Sequence, residues 1–209
     1  MTTPEQTQKR RKVRAILASG LVLGVGAAVT LAAWNDSVWG SSTFGTGDSQ
    51  WNLQGFTPAE NAWEDFVQEG DAATMTFLPD NDALVPQEPV FSVFGLHEQY
   101  GNLGATIGLE KGNITGSTDL ADEIDITATL VSGATTATPA ACDATTTGDV
   151  LFSGPLSSAL ASAADAITLA PEGYAWVCFK AELSEDAAGD LALQDQQVTA
   201  TWVFNGQSS

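Results

Sequence analysis

The stretch Tyr174-Ala-Trp-Val-Cys-Phe-Lys-Ala-Glu-Leu183 decides the fold class. It is rich in aromatic and aliphatic residues and carries no stripe at helical spacing. Ala175, Val177, Phe179, Ala181 and Leu183 fall on one face of an extended chain. Tyr174, Trp176 and Cys178 begin the other face, which then turns polar at Lys180 and Glu182. Such a pattern predicts a strand buried on one side throughout and on both sides at its first half. Gln197–Phe204 alternates in the same way, with Val198, Ala200, Trp202 and Phe204 pointing one way and Thr199, Thr201 and Val203 the other.

Working outward, further strands are predicted at Ala73–Leu78, Val90–His97, Ala105–Glu110, Ile124–Val131 and Asp149–Phe152. Turn-forming residues separate them at Pro79–Asp82, Pro86–Pro89 and Glu110–Asn113. Val131–Thr147 is rich in Thr, Ala and Gly and reads as a loop. Helical signals are confined to Thr57–Trp63, capped by Thr57, and Pro155–Ala164, with Pro155 near its start. The C-terminal Asn205–Ser209 reads as a short polar end. Many short strands with few helices predict an all-β, antiparallel sandwich.

The N-terminus is of a different kind. Lys9, Arg10, Arg11, Lys12 and Arg14 precede an uncharged run from Ala15 to Trp34. A basic start, an apolar middle and small residues at its end make an export signal. The run approaches the length of a membrane-spanning helix, so a retained anchor is the alternative to cleavage. Gly20, Gly24 and Gly26 weaken the helix, and Ala32-Ala33 offers small residues to a signal peptidase, which favours cleavage. Lys12 and Arg14 after the arginine pair argue against twin-arginine export.

Removal of that signal leaves an extreme charge balance. The whole chain has 26 acidic and 7 basic residues. Only Glu5 among the acids precedes Ala33, so 25 acids remain against Lys111 and Lys180, a net charge of −23. Such a surface repels nucleic acid and anionic lipid. Solubility is the plain reading of the charge; divalent-cation binding or a high-salt habitat is the sharper one. The two cysteines, Cys142 and Cys178, are too far apart for CxxC chemistry and too few for a zinc site. Outside the cell such a pair is expected to form a disulfide, the alternative being two separate buried thiols.

No catalytic constellation is apparent. The single histidine, His97, falls within a predicted strand. HExxH, GxSxG and P-loop patterns are absent. Asp80-Asn-Asp82 lacks the glycine and distal glutamate of a calcium loop. Asp119–Asp125 is a denser acidic cluster, read as a solvated loop before a strand, with calcium binding as the alternative. Asn35-Asp-Ser37 and Asn113-Ile-Thr115 match the glycosylation acceptor pattern. The expectation is a protein without catalytic residues, metal or cofactor.

Thr30-Leu-Ala-Ala-Trp-Asn-Asp-Ser37 followed by Thr43-Phe-Gly-Thr-Gly47 resembles the N-terminal segment of the TasA/camelysin family, whose members are exported through a dedicated SipW-type signal peptidase. Leu84-Val-Pro86 with Val90-Phe-Ser-Val-Phe94 resembles the family's turn into a core strand, with Gln87 where glycine is usual. Thr199–Phe204 resembles its closing strand. The resemblance implies a cut between Ala32 and Ala33 and a jelly-roll-like form of the sandwich. It divides the chain into a signal over 1–32, an exposed segment over 33–50 and a sandwich over 51–209. It also implies a non-enzymatic extracellular matrix or fibre subunit that is secreted and touches the membrane only before cleavage. In such fibres a strand passes between copies. Here the candidate donor is Ala33–Phe44, with Ala33, Trp34, Val38, Trp39 and Phe44, which would add to a neighbour's open sheet edge, the alternative being that it lies on its own sandwich. The alternatives are a monomeric surface binding module and a camelysin-type metalloprotease, for which the sequence offers no ligand set.

Overall fold

The computed structural model describes residues 50–79, 83–158 and 161–209. The predicted signal helix, the cleavage pair Ala32-Ala33, the donor residues Trp34, Val38, Trp39 and Phe44, and Asp80-Asn-Asp82 lie outside the described residues. Among the described residues nine strands form two antiparallel sheets: β1 (Leu53–Phe56), β2 (Trp63–Glu64), β3 (Val90–Glu98), β4 (Ala105–Gly116), β5 (Ile124–Val131), β6 (Gly148–Pro155), β7 (Ile167–Leu169), β8 (Tyr174–Leu183) and β9 (Val198–Ser208). One sheet has six strands in the order β2-β1-β3-β8-β5-β6, the other three in the order β7-β4-β9. The architecture is an all-β sandwich.

β8 behaves as its alternation predicts. Val177 and Phe179 have no exposed surface and lie in the core between the sheets with Ala175, Ala181 and Leu183. Trp176, equally buried, points to the other side, where it meets Phe56 and Val93. From β9, Val198, Ala200, Trp202 and Phe204 pack on the main core. Phe94 of β3 stacks on Phe204 across the two sheets, with ring centroids 4.8 Å apart and planes 19° apart. Aromatic pairs of this geometry add cohesion beyond the area they bury.

Several expectations are corrected. Ala73–Leu78 is not a strand: among the described residues only Leu78 pairs, with Phe91, and Pro79, which follows it, has no N–H to continue the ladder. Glu110–Asn113 does not end a strand but forms a bulge within β4, between Lys111 and Ile114. Asn205–Ser208 continues β9, whose pairing runs on to Ser208 opposite Ala105. Thr57–Trp63 makes one turn rather than a helix. The predicted cap is present, Thr57 Oγ1 accepting from Glu60 N at 3.3 Å. However, Asn61 then takes a positive φ of 53° and Trp63 enters β2.

The described part of Pro155–Ala164 is also not helical. Pro155 ends edge strand β6, and Ala161 bridges Glu110. Serines draw this backbone away from a helix: Ser158 Oγ donates to Pro155 O at 2.7 Å, and Ser162 Oγ accepts from Leu109 N at 2.8 Å. Conversely, part of the acidic loop Asp119–Asp125 is helical. Thr118–Glu123 form a short helix whose cap, Ser117, accepts from Leu120 N at 3.2 Å, and Ala121 is buried beneath it. Among the described residues no helix is long and apolar enough to cross a membrane.

Candidate functional site

Among the described residues the two sheets differ in width, three strands facing six. A cleft of about 1390 Å³ remains between them. Its walls include Phe94 and Leu96 of β3, Ile124 and Ile126 of β5, Ala181 and Leu183 of β8, and Ala200, Trp202 and Phe204 of β9. That exceeds the few hundred to about 1,000 Å³ usual for a small-molecule site. β9 forms one side. Among the described residues it is an edge strand, paired only with β4. An edge strand offers unpaired main-chain donors and acceptors to another chain. The indole N–H of Trp202, shielded from solvent, finds no acceptor among the described residues.

The segment 65–77 forms another wall. It leaves the six-stranded sheet after Glu64, reaches the three-stranded sheet at Glu69, and returns where Leu78 pairs with Phe91. Thr201 Oγ1 donates to Glu69 Oε1 at 2.8 Å, and Asn113 Nδ2 donates to Oε2 at 2.7 Å. Asn113 N donates to Thr201 Oγ1 at 2.9 Å and more weakly to Glu69 Oε1 at 3.3 Å. The β4 bulge makes this possible, since it frees Asn113 N from the ladder. Gly112 is needed beside it, because a side-chain carbon there would lie 2.4 Å from Thr201 Oγ1. The Thr201 and Asn113 donors hold the Glu69 carboxyl below the usual carboxylate range.

On the outer face of the six-stranded sheet, the loop after β5 covers Trp176. Cys142 in this loop is bridged to Cys178 of β8. Trp176 Nε1 donates to Thr136 O at 2.8 Å, a second tether. The predicted disulfide is therefore present, and such a bond is the chemistry of an oxidising compartment. Beside it lies an aromatic group. His97 stacks on Tyr174 with centroids 4.0 Å apart, and Trp63 stands edge-on to both. His97 lies in β3, where the sequence placed it.

Glu98, which sequence reasoning passed over, is fully buried. Burial pushes its carboxyl up, but the backbone N–H groups of Glu172, Gly101 and Tyr100, at 3.0, 2.8 and 3.1 Å, outweigh it, with His97 helping. The carboxyl is held below its usual range. This group ties the end of β3 to the turn before β8. The acidic cluster does not converge: among the described residues no three His, Cys, Asp or Glu side chains come together as a metal site. Glu123 bonds Ser184 Oγ instead. Lys180 pairs with Glu182 at 2.7 Å, and Lys111 donates to the carbonyls of Leu156 and Ser157.

Among the described residues, fold and cleft define a two-sheet β-protein whose edge strand β9 borders a cleft. No family model matches the chain, and no curated protein matches it.

Proposed function

We propose that the chain is a non-enzymatic secreted structural protein, a matrix or fibre subunit of the TasA type with a jelly-roll-like sandwich. In this reading Ala33–Phe44 of one copy adds to β9 of the next and lays its large side chains into the cleft. The observation that carries it is the cleft, lined by apolar and polar side chains, beside the edge strand β9. A cleft lined by Phe94, Trp202 and Phe204 suits Trp34, Trp39 and Phe44. Burying such groups is worth roughly 1.5–3 kcal/mol each. Two further features support the family reading. The chain changes sheet at every step from β6 to β9, as in a jelly roll. Gln87, which stands where the family has glycine, adopts a φ of 66°, a conformation that favours glycine.

The assembly would be head-to-tail and would propagate into a filament. Its charge of −23 opposes it, so acid or salt should promote growth. Negative-stain microscopy of a concentrated sample at low pH is the test. Filaments that vanish when Ala33–Gly40 is deleted, with the sandwich still folded, support the reading. A protein that stays monomeric under those conditions overturns it. The second reading, a monomeric binding module, draws on the half-exposed Trp63, His97 and Tyr174 group, since such rings suit a flat ligand.

A further inference from the structure

We propose that residues 65–77 are a latched cover over the cleft and that Glu69 is the latch. While its carboxylate holds Asn113 and Thr201, the mouth beside β9 is narrowed; when those bonds break, the segment swings away and admits an extended apolar chain. The inference deepens the self-assembly reading and rests on it for the identity of the incoming chain, though not for the existence of the latch.

The argument begins with how the segment is attached. Among the described residues, every hydrogen bond that ties 65–77 to the three-stranded sheet runs through the Glu69 side chain. Its other ties lie toward its two ends. Asn52 Nδ2 donates to Asp65 Oδ1 at 2.7 Å and Thr74 N donates to Glu60 Oε1 at 3.3 Å, while at its far end Phe77 is buried in the core, its ring 6.4 Å from that of Trp202 in β9. The segment is thus anchored at its ends, and its middle is fastened to the three-stranded sheet at one exposed point, the Glu69 carboxylate. A contact resting on exposed bonds opens locally at far lower cost than a buried strand.

The composition of the segment suits a movable cover. Its middle, Glu69–Asp71, is one short turn with no buried residue. Val67 is 80% exposed, so little apolar area resists displacement of the middle of the segment, whereas Ala73, Met75 and Phe77 hold its C-terminal end on the core. Phe66 anchors its N-terminal end: it lies over Gly55 of β1, where a side-chain carbon would sit 2.9 Å from the ring. The fastening is built from three distant parts of the chain. The bulge presents Asn113, Gly112 leaves space for the Thr201 hydroxyl, and β9 supplies that hydroxyl at its edge. A surface carboxylate with no such duty needs none of these.

The test uses the chain in the form that cells deliver, with Glu69→Ala and the milder Glu69→Gln. Three quantities are compared with the parent: amide hydrogen exchange over 66–77, fluorescence of an apolar dye that enters open clefts, and the rate of filament growth. For Glu69→Ala, exchange over 66–77 should rise on the order of tenfold while β4 and β8 stay protected. Dye fluorescence should increase, and Glu69→Gln should fall between. Unchanged exchange over 66–77 overturns the latch. Faster exchange without greater dye access overturns the cover. If filaments grow and the variant grows no faster despite an open segment, control of assembly by this cover is overturned. If neither protein forms filaments, the self-assembly reading fails while exchange and dye access still decide the latch. Should both variants lose the protection of β4 and β8 as well, Glu69 is a general structural support and the proposal falls.

Discussion

Gly95 of β3 lies directly opposite Trp176 of β8, and the missing side chain of one makes room for the indole of the other. A methyl group at Gly95 would sit 2.7 Å from Trp176 Cζ3 and 2.8 Å from Trp63 Cη2. Trp176 is fully buried and cannot yield. Gly95→Ala should therefore destabilise by about 1–3 kcal/mol through overpacking. Denaturant titration measures the loss, and an unchanged midpoint would show that the aromatic group has slack.

The bridge between Cys142 and Cys178 closes a loop with a sequence separation of 36. Replacing both by serine should cost about 3–4 kcal/mol in the chain-entropy model. The loop carrying Thr136 should then loosen from Trp176, so a red shift in tryptophan emission should precede global unfolding. Two alkylatable thiols in the folded native protein would refute the bridge itself.

Glu98→Gln keeps the shape but replaces one carboxylate oxygen by a donor facing N–H groups. A loss of about 1.5–3 kcal/mol is expected near neutral pH. The sign of the pH effect follows from the depressed pKa of Glu98 in the fold. Its stabilisation is complete above the ordinary carboxylate range and is lost as pH falls through the lowered value. The variant should therefore show a shallower acid dependence than the parent, read as melting temperature against pH.

Gln87 holds a φ of 66° between Pro86, which bridges Leu183, and β3. Glycine takes that conformation without a Cβ clash. Gln87→Gly should be neutral or stabilise by up to about 1 kcal/mol, whereas a β-branched residue there should destabilise. A Gln87→Gly variant that melts well below the parent would mean that the glutamine side chain makes a contact worth more than the strain.

Cleavage is predicted after Ala32. N-terminal sequencing of protein from the culture medium should begin at Ala33. Protein found only in membranes and still carrying Met1 or Thr2 would instead establish the retained anchor.

Much of this molecule is legible in its sequence. The sidedness of β8 and β9 follows from alternation alone, because successive side chains of an extended strand must point to opposite faces. Even the change from two-sided to one-sided burial along Tyr174–Leu183 is written in the residues, with Trp176 at one end and Glu182 at the other. The cysteine pair was legible too, since composition and an export signal bear on redox environment. Short elements were not. β2 and β7 have too few residues to show a period, and the helix at Thr118 is masked by acidic residues that read equally well as loop.

Which edge stays open, and what lies across it, was decided by the tertiary structure. Alternation says that a strand has an inner face but not which strand lies beside it. The pairing of six described strands against three, and the cleft between them, therefore had no local signature. The same holds for Glu69 and Thr201, which are 132 positions apart and share a hydrogen bond. Side-chain direction is a local property of the chain, whereas a hydrogen-bond partner is supplied by whatever the rest of the fold brings within about 3 Å.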